Sequence, residues 1–437
     1  MVLLNVMRSV GTRRLGAGAV VACTLLAVAL GTLGPGCRAE FSGPFACATG
    51  YASCLQGQDL CETSITTDGL NCGACGNACP LGATCASGVC GAGAPKIAPL
   101  PIGSQSGLAV NATGVFWSDS GSIFSAPLSG STGGSAPTAV VTDAFTCGSS
   151  AAFAVDDGGL YYWSNGFNCA QPGSCGGLTK VSLTDGTRTI LVPNQSTGGS
   201  GNNNQCGSMA VDAANVYVLV TQQQGNVSTS TVYSAPLTGA SALTPPLATV
   251  QGSGGSASST LVVTPTNLVF QVSSMNGPPS FEVVPLGGGA AFSIPSPPIS
   301  SWGGAFAADT DNIYVVGSGC SCSGNGSSSG PPGGAVSKIA IRGGAGAQLA
   351  PFSGEAGGIA VDAATVYWAT DTALWKVPKA GGSATEIAGN LTGGTPGFQC
   401  IGCGGGSNTE PVSIALDTTS VYLADHGNVN TVLKVDK

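Results

Sequence analysis

Residues 360–379 read AVDAATVYWATDTALWKVPK and contain the pattern that determines the fold. An apolar pair and an aspartate, Ala360-Val361-Asp362, precede a short turn and the apolar-aromatic run Val366-Tyr367-Trp368. A third segment with apolar residues, Leu374 to Lys379, follows. Short apolar and aromatic runs that are separated by turn residues indicate strands, so this stretch predicts consecutive antiparallel strands rather than a helix.

The same pattern occurs seven times along the chain. In successive copies, the position of the aspartate is occupied by Asn111, Asp156, Asp212, Thr264, Asp309, Asp362 and Asp417. These positions are 45 to 56 residues apart, close to the roughly 40 to 50 residues of a four-stranded propeller blade. The sequence therefore predicts an all-β protein, in which a β-propeller of seven four-stranded blades occupies residues 95–437.

The two ends of the repeat array are expected to meet. The seventh copy ends with its third strand at Lys437, so it has no fourth strand of its own. Residues 96–100, before the first copy, resemble the fourth strands of other copies, such as Thr385 to Ala388. We expect this strand, within residues 95–102, to complete the last blade, which leaves no sheet edge open.

The composition excludes several classes of protein. The 437 residues include 70 glycines, only 8% of the residues are charged, and the net charge is −8. A hydrophobic content of 43% argues against disorder throughout the chain. Scattered lysines and arginines argue against a surface for nucleic acid or anionic membrane, since both need clustered positive charge.

Short motifs within the repeats resemble known propeller repeats. Phe116-Trp117-Ser118-Asp119, Tyr162-Trp163-Ser164-Asn165 and Tyr367-Trp368-Ala369-Thr370 are similar to YWTD repeats, and residues 421–428 are similar to the NHL repeat. Propellers of these families usually have six blades, so the resemblance makes six blades the alternative to seven. It also implies a binding platform, with some enzymes among the relatives.

The N-terminus has the layout of an export signal. A basic start that ends at Arg14 precedes an uncharged stretch, Leu15 to Leu33, and small residues then lead to Cys37. Residues 33–37 resemble the bacterial lipobox, which implies a signal peptide over residues 1–36 and lipidation of Cys37. The protein is then expected to be exported and lipid-anchored at the outer membrane or cell surface, or periplasmic. Plain cleavage near this point and an uncleaved membrane anchor are the alternatives.

The remaining cysteines form two even sets. With Cys23 in the signal peptide and Cys37 lipidated, sixteen of the 18 cysteines remain, eight of them between Cys47 and Cys90. Even sets in an exported chain predict disulfide bonds. The predicted disulfide cysteines are Cys47, Cys54, Cys61, Cys72, Cys75, Cys79, Cys85, Cys90, Cys147, Cys169, Cys175, Cys206, Cys320, Cys322, Cys400 and Cys403.

The first eight cysteines belong to a disulfide-rich module and linker over residues 37–94, a segment too short to bury a stabilising core without crosslinks. The run from Asn71 to Cys79 resembles Cys-rich segments of exported myxobacterial surface proteins, which implies an extracellular stalk or small knob. A zinc site that combines Cys72-x-x-Cys75 with Cys400-x-x-Cys403 is disfavoured, because no usual ligand spacing links the two pairs and no histidine is near. We expect neither a metal nor a cofactor.

The predicted connections differ between the two ends of the blades. Turns between first and second strands are short, whereas long segments connect second to third strands or one blade to the next. The long segments are residues 165–177, 194–207, 222–230, 317–334 and 390–411, and the eight propeller cysteines lie in connections of this kind. Such an elaborated face suits ligand binding, although Gly/Ser-rich loops also simply tolerate insertion. The candidate ligand-binding residues are Asn165, Asn168, Asn203, Gln205, Asp425 and His426.

Catalytic signals are weak. His426 is the only histidine in the chain, and the hydrolase-like pattern at residues 326–330 lies in a Ser/Gly-rich loop without the strand-to-helix turn it needs. The repeated aspartate is expected to cap its turn rather than to bind a metal. The sequence thus predicts a monomeric binding platform for a protein or glycan at the cell surface, which contacts the membrane only through its lipid anchor. An extracytoplasmic lyase or hydrolase on the same fold, or a structural surface protein, are the alternatives.

Overall fold

The protein was analysed as a computed structural model. The structure describes residues 47–54, 61, 63–80, 82–99, 107–119, 121–130, 137–144, 146–147, 150–164, 177–193, 204–205, 208–224, 227–243, 245–253, 257–274, 277–296, 305–318, 321–322, 328–329, 333–353, 356–370, 372–391, 413–425 and 431–437. Its regular structure within these ranges is entirely β. In the same ranges, no helix is long and apolar enough to span a membrane. The chain divides into two compact units, one within residues 1–79 and 84–91 and the other within residues 80–83 and 92–437.

The larger unit is a seven-bladed β-propeller, which confirms the predicted fold and blade number. Every blade is an antiparallel sheet with four strand positions, which are numbered first to fourth across the sheet. Blade 1 comprises Leu108–Val110, Val115–Asp119, Ser122–Ala126 and Thr138–Val141. Blade 2 comprises Phe153–Asp156, Gly159–Trp163, Leu178–Val181 and Arg188–Val192. Blade 3 has an interrupted first strand, Asn204–Gln205 and Met209–Val211, followed by Asn215–Gln224, Val227–Pro236 and Ala248–Ser253.

The remaining blades follow the same order. Blade 4 comprises Ala257–Val263, Asn267–Ser274, Gly277–Pro285 and Phe292–Pro295. Blade 5 comprises Phe306–Ala308, Asn312–Ser318, Gly333–Ala340 and Ala347–Ser353. Blade 6 comprises Ala356–Val361, Thr365–Thr370, Leu374–Pro378 and Thr385–Ala388. Blade 7 comprises Ser413–Leu416, Ser420–Asp425 and Thr431–Asp436, and its fourth strand is Lys96–Pro99.

The pairing of Lys96–Pro99 with Thr431–Asp436 joins the beginning of the propeller to its end. The Thr431 hydroxyl donates a hydrogen bond to the Ala98 carbonyl at 2.9 Å, and the Lys434 backbone N–H donates to the Pro95 carbonyl at 3.0 Å. This is the pairing that the sequence predicts for the strand before the first copy. The first strand of the propeller in chain order, Lys96–Pro99, thus belongs to the last blade, where it pairs with the edge of Thr431–Asp436.

The core of the propeller consists of seven apolar clusters, one between each pair of adjacent blades. Both faces of each second strand are buried, because each blade is packed between two neighbours. Between blades 2 and 3, for example, Tyr161 and Trp163 pack against Val216 and Val218. The first strands of successive blades are adjacent, and that of blade 7 lies against that of blade 1. The repeated aromatic residues therefore serve blade packing, and the blades form a closed ring.

Two predicted insertions are strands in the structure. Residues 222–224 and 227–230, expected in a long connection, extend the second and third strands of blade 3 into a ten-residue pair. Residues 317–318 and 333–334 likewise extend blade 5. Buried and half-buried side chains alternate along residues 228–231, as expected for a strand. These residues are all serine or threonine, which is why the sequence pattern predicted a connection here instead.

The smaller unit is crosslinked by four disulfide bonds. They join Cys47 to Cys61, Cys54 to Cys75, Cys72 to Cys85, and Cys79 to Cys90. Two short sheets, Tyr51–Ala52 with Thr63–Ser64 and Cys85–Ala86 with Val89–Cys90, are the regular structure of this unit within its described residues. The eight cysteines predicted to form disulfides in this segment are all paired.

Candidate functional site

The two ends of the propeller carry different connections. One end, called the turn face, carries the connections between first and second strands and between third and fourth strands. The other end, called the loop face, carries the connections from second to third strands and from each blade to the next. On the turn face, the first connection of each blade is short, as between Val211 and Asn215. Its third-to-fourth connections vary more, and residues 127–137 in blade 1 and 237–247 in blade 3 are long, whereas the sequence analysis assigned long connections to the loop face alone.

The repeated aspartate organises the turn face. In blade 3, Asp212 Oδ1 accepts hydrogen bonds from the backbone N–H groups of Ala214 and Asn215, both at 2.8 Å. Its other oxygen accepts a bond from the Tyr217 hydroxyl at 2.8 Å. The same three contacts occur at Asp156, Asp309, Asp362 and Asp417. The aspartate is thus a turn cap, as the sequence predicts, and it also holds the tyrosine of the adjoining strand, which the sequence pattern did not predict.

Two blades lack this aspartate and keep the turn. In blade 1, Asn111 Oδ1 accepts bonds from the N–H groups of Thr113 and Gly114 at 2.9 and 3.1 Å. In blade 4, the Thr264 hydroxyl accepts a bond from the Asn267 N–H at 3.0 Å. Blades 1 and 4 have Phe116 and Val269 at the position of the tyrosine. A second carboxylate oxygen would therefore find no tyrosine hydroxyl from which to accept a hydrogen bond. A short side chain with one oxygen acceptor is therefore sufficient for the turn itself.

Lysines join three neighbouring blades on the turn face. Lys379 directly follows the third strand of blade 6, and its Nζ lies 2.6 Å from Asp309 Oδ2 of blade 5. Lys437 of blade 7 makes the equivalent contact with Asp362 of blade 6 at 2.9 Å. Each ammonium also lies over the ring of the tyrosine whose hydroxyl the same aspartate holds, Tyr314 for Lys379 and Tyr367 for Lys437. In the other five blades, the same position is occupied by the apolar residues Leu128, Leu183, Leu237, Leu286 and Ile341.

The contacts of the capping aspartates shift the pKa of the carboxyl and of the tyrosine hydroxyl that it holds. Burial favours the neutral form of Asp362, but the bonds from Lys437, from two backbone N–H groups and from Tyr367 outweigh it and lower the pKa of the carboxyl to about 2. Burial and the contact with Asp212 raise the pKa of Tyr217 to about 12. A carboxylate held in this way is charged at neutral pH and engaged by several donors, so it is poorly suited to act as a base or a metal ligand.

Two of the six predicted ligand-binding residues, Gln205 and Asp425, lie in described strands of the propeller. Gln205 lies in the interrupted first strand of blade 3, where its backbone pairs with Thr221. Asp425 is the last residue of the second strand of blade 7 and pairs with Thr431. Both positions are at the loop-face ends of their strands. The other four candidates, Asn165, Asn168, Asn203 and His426, lie outside the described residues.

The cysteines of the propeller are only partly described. Cys147 and Cys322 lie in the two-stranded sheets Thr146–Cys147 with Ser150–Ala151 and Ser321–Cys322 with Ser328–Ser329. Both sheets belong to loop-face connections. The other six, Cys169, Cys175, Cys206, Cys320, Cys400 and Cys403, lie outside the described residues, as does Cys37. Disulfide bonding in the propeller stays a prediction.

Polar side chains are buried below the loop face where blades 3 and 4 meet. Thr221 and Ser230 of blade 3 lie 3.3 Å apart through their hydroxyl oxygens. In blade 4, the Glu282 carboxylate accepts bonds from the hydroxyls of Ser280 and Ser293 at 3.1 and 2.5 Å. Thr221 and Glu282 are at most 4% exposed, and the hydrogen bonds within each blade offset the cost of burying these polar groups. The sequence analysis did not predict this cluster, although polar residues at inward-facing strand positions could have indicated it.

Comparison with known proteins supports the fold but assigns neither a family nor a function. No family model matches the chain, and no curated protein matches it. A puromycin hydrolase mutant complexed with PGG matches with a TM-score of 0.50 and 12% identity, over 78% of this chain and 55% of the hydrolase. The tricorn protease matches with a TM-score of 0.45 and 10% identity, over 80% of this chain and 35% of the protease. The AfRom2 CNH domain matches with a TM-score of 0.40 and 12% identity, over 78% of this chain and 98% of the domain.

The shared feature is the propeller. The chain spans about half the length of the puromycin hydrolase, and the level of identity carries no catalytic or binding residue across. Structural similarity at this level is compatible with many unrelated functions.

Proposed function

We propose that this protein is an exported, lipid-anchored binding platform that captures a protein or glycan ligand with the loop face of its propeller. The observation that supports this proposal is the difference between the two faces. On the turn face, the repeated carboxylates are engaged by backbone N–H groups, tyrosines and lysines, as at Asp309. The loop face carries the longest connections, those after Trp163, Ser318 and Ala388, and the described cysteines Cys147 and Cys322, and long connections on a rigid scaffold are where binding residues concentrate.

The export part of the proposal is supported by the four disulfide bonds of the smaller unit, because such bonds persist in oxidising compartments. Lipidation of Cys37 rests on the lipobox-like sequence before it. In this arrangement, the disulfide-rich unit lies between the anchor and the propeller along the chain. It would serve as the stalk from which the loop face meets its ligand.

A face-specific binding experiment tests the proposal. Blade 7 offers a matched pair of aspartates, since Asp425 ends its second strand on the loop face and Asp436 ends its third strand on the turn face. The immobilised full-length protein, an Asp425→Ala/His426→Ala variant and an Asp436→Ala variant are each exposed to an extract of cell-envelope proteins and glycans. We expect the loop-face variant to lose at least about 10-fold in capture of the ligand bound by the wild type, as for loss of a binding hot spot, and the turn-face variant to retain it.

Two results would contradict the proposal. Equal capture by all three proteins would show that the loop face of blade 7 takes no part in binding. Equal loss in both variants, with unchanged melting temperatures, would show that binding does not distinguish the faces.

A further inference from the structure

Two disulfide bonds of the smaller unit lie close together. The Sγ atoms of Cys72, Cys79 and Cys90 are all within 4.8 Å of one another. Cys79 is bonded to Cys90, whereas Cys72 is bonded to Cys85. Opening of the Cys79–Cys90 bond therefore leaves a thiolate next to the sulfur of Cys72, which belongs to the other bond.

Local hydrogen bonds hold Cys72 near Cys79. The Cys72 N–H donates to the Asn77 carbonyl at 2.9 Å, and the Asn77 side-chain amide donates back to the Cys72 carbonyl. The Cys79 N–H donates to the Gly69 carbonyl at 2.7 Å. The chain thus folds back on Cys72 just before it reaches Cys79, which allows a bond between these two cysteines without rearrangement of the segment.

The other two cysteines, Cys85 and Cys90, are directly opposite each other in a two-stranded hairpin. At the next pair along the hairpin, the Gly91 N–H donates to the Thr84 carbonyl at 2.9 Å. Because hydrogen-bonded and non-hydrogen-bonded pairs alternate in an antiparallel ladder, Cys85 and Cys90 form a non-hydrogen-bonded pair, for which Cα atoms are about 4.5 Å apart. Disulfide bonds join residues whose Cα atoms are about 4.4–6.8 Å apart, so this pair is also suited to a bond.

Both observed bonds span residues 80–83, a segment that belongs to the larger unit. Within that unit, Ala83 is fully buried, and its carbonyl oxygen lies 3.1 Å from the position that a Cβ atom would take at Gly389, directly after the fourth strand of blade 6. Gly82 has a φ of +74°, and a Cβ atom there would collide with Ala94, which packs against the apolar cluster between blades 6 and 7. Residues 80–83, called the strap, thus lie on the propeller.

We propose that a small thiol exchanges the two observed bonds for Cys72–Cys79 and Cys85–Cys90 bonds, and that this exchange releases the strap from its crosslinks. In the observed pairing, each bond connects the chain before the strap with the chain after it. In the exchanged pairing, one bond lies wholly before the strap and the other wholly after it. The strap is then held on the propeller by its own contacts alone.

The exchange needs a thiol as catalyst and no net oxidant or reductant. Cys90 is the point of entry, because it is half-buried, whereas the other three cysteines are at most 8% exposed. A thiolate attacks the Cys90 sulfur, forms a mixed disulfide and releases the Cys79 thiolate. Cys79 attacks Cys72 and releases the Cys85 thiolate, which attacks the mixed disulfide at Cys90 and expels the original thiolate. Two S–S bonds are lost and two are formed, and the thiol is regenerated.

Disulfide mapping of the full-length protein tests the proposal. The oxidised protein is incubated with a glutathione buffer and quenched with acid, and free thiols are alkylated. The denatured chain is then cut after Leu81 without reduction. In the observed pairing, the peptides that contain Cys79 and Cys85 stay linked, whereas in the exchanged pairing they separate. We expect separation in the wild type with no gain of alkylated thiols.

Two double variants provide the controls. Cys47→Ser/Cys61→Ser removes a bond that takes no part in the exchange, so its peptides should separate as in the wild type. Cys72→Ser/Cys85→Ser leaves no second bond for Cys79 to attack, so its peptides should separate only by reduction, with two alkylated thiols as the product. Wild-type peptides that stay linked at every glutathione concentration, or that separate only with this gain of thiols, would overturn the proposal.

Hydrogen exchange with solvent measures the release of the strap itself. The Ala83 N–H donates to the Pro80 carbonyl at 2.9 Å in the observed pairing. After the disulfide exchange, we expect this amide to exchange at least about 10-fold faster, because the crosslinks no longer restrict local opening of the strap. Amides in the second strands of the blades should be unaffected. An unchanged rate at Ala83 in protein with the exchanged pairing would refute the release of the strap.

Discussion

At the scale of single residues, one carboxylate performs two tasks on the turn face. Asp212 closes its turn with one oxygen and holds the Tyr217 hydroxyl with the other. Asn111 shows that the turn survives without a charge, since its amide oxygen accepts the same backbone bonds. Replacing one of these aspartates by asparagine therefore removes the charge and keeps the cap. This difference makes the contribution of the charge measurable.

The Asp362→Asn substitution should destabilise the protein near neutral pH. It removes the ion pair with Lys437, which is 15% exposed and lies 2.9 Å from the carboxylate, and the cost should be about 1 kcal/mol, the upper range for a partly exposed pair. Because the pKa of Asp362 is lower in the fold than the ordinary value, its charged form stabilises the fold. The stabilisation is complete above about pH 4 and is lost as the pH falls toward the folded pKa of about 2.

Thermal unfolding of the wild type and Asp362→Asn between neutral pH and about pH 2 checks this expectation. Asp417→Asn is the matched control, because Asp417 caps the same turn and holds Tyr422, while the position that faces it from blade 1 is the apolar Leu128. The control should lose less stability at neutral pH. A difference between Asp362→Asn and wild type that stays constant over the whole range would contradict the role of the charge.

At the scale of elements, the third and fourth strands show how each blade ends. Pro236, Pro285 and Pro378 are the last residues of their third strands, where proline removes no bond from the sheet interior. The pairing of third with fourth strands shifts register at one equivalent point in blades 1, 2, 5, 6 and 7. The closing strand of blade 7 shares this irregularity, so Lys96–Pro99 behaves as an ordinary fourth strand although it comes from the other end of the array.

The closing strand should contribute strongly to stability. Ile97 is 2% exposed and packs between blades 7 and 1, so Ile97→Ala should cost about 2–5 kcal/mol. Lys96→Ala, at the exposed neighbouring position, should be close to neutral. Deletion of residues 95–102 should lower the melting temperature sharply, because it opens the edge of Thr431–Asp436. Denaturant unfolding measures all three, and an unchanged melt after the deletion would refute the stabilising role of ring closure.

At the scale of the whole molecule, stability is divided among seven similar interfaces. Each is an apolar cluster between adjacent blades, and the cluster of Ile97, Trp117 and Tyr422 closes the ring. Lysine–aspartate contacts supplement two of these interfaces, those of blade 5 with 6 and of blade 6 with 7. With so much of the stability in the packing of blades, the loop-face connections can vary in length and composition.

Intact-mass measurement of the membrane-extracted protein tests the export and anchoring proposals together. We expect a chain that begins at Cys37 and carries added acyl mass. Reduction followed by alkylation should label the sixteen cysteines other than Cys23 and Cys37, out of 18 in the sequence. An unacylated chain that begins elsewhere would contradict the anchor, and several thiols that are free before reduction would contradict disulfide bonding in the propeller.

The sequence by itself determined the all-β fold, the seven blades and the strand that completes the last one. Each blade is built mainly from contacts between neighbouring segments of chain, so strand alternation and turn residues, as in residues 360–379, encode it locally. The aspartate cap could be predicted for the same reason, since Asp362 and the backbone groups it accepts from are at most three residues apart.

Only the tertiary structure decided the contacts between distant segments. Lys437 meets Asp362 because the packing of blade 7 against blade 6 brings together residues that are far apart in the sequence. The eight cysteines of the smaller unit allow 105 pairing patterns by sequence alone, and the fold selects one of them, which consists of four bonds. The same folding places the Sγ atoms of Cys72, Cys79 and Cys90 within 4.8 Å of one another, and backbone hydrogen bonds join the segments that carry Cys72 and Cys79 to residues 65–69.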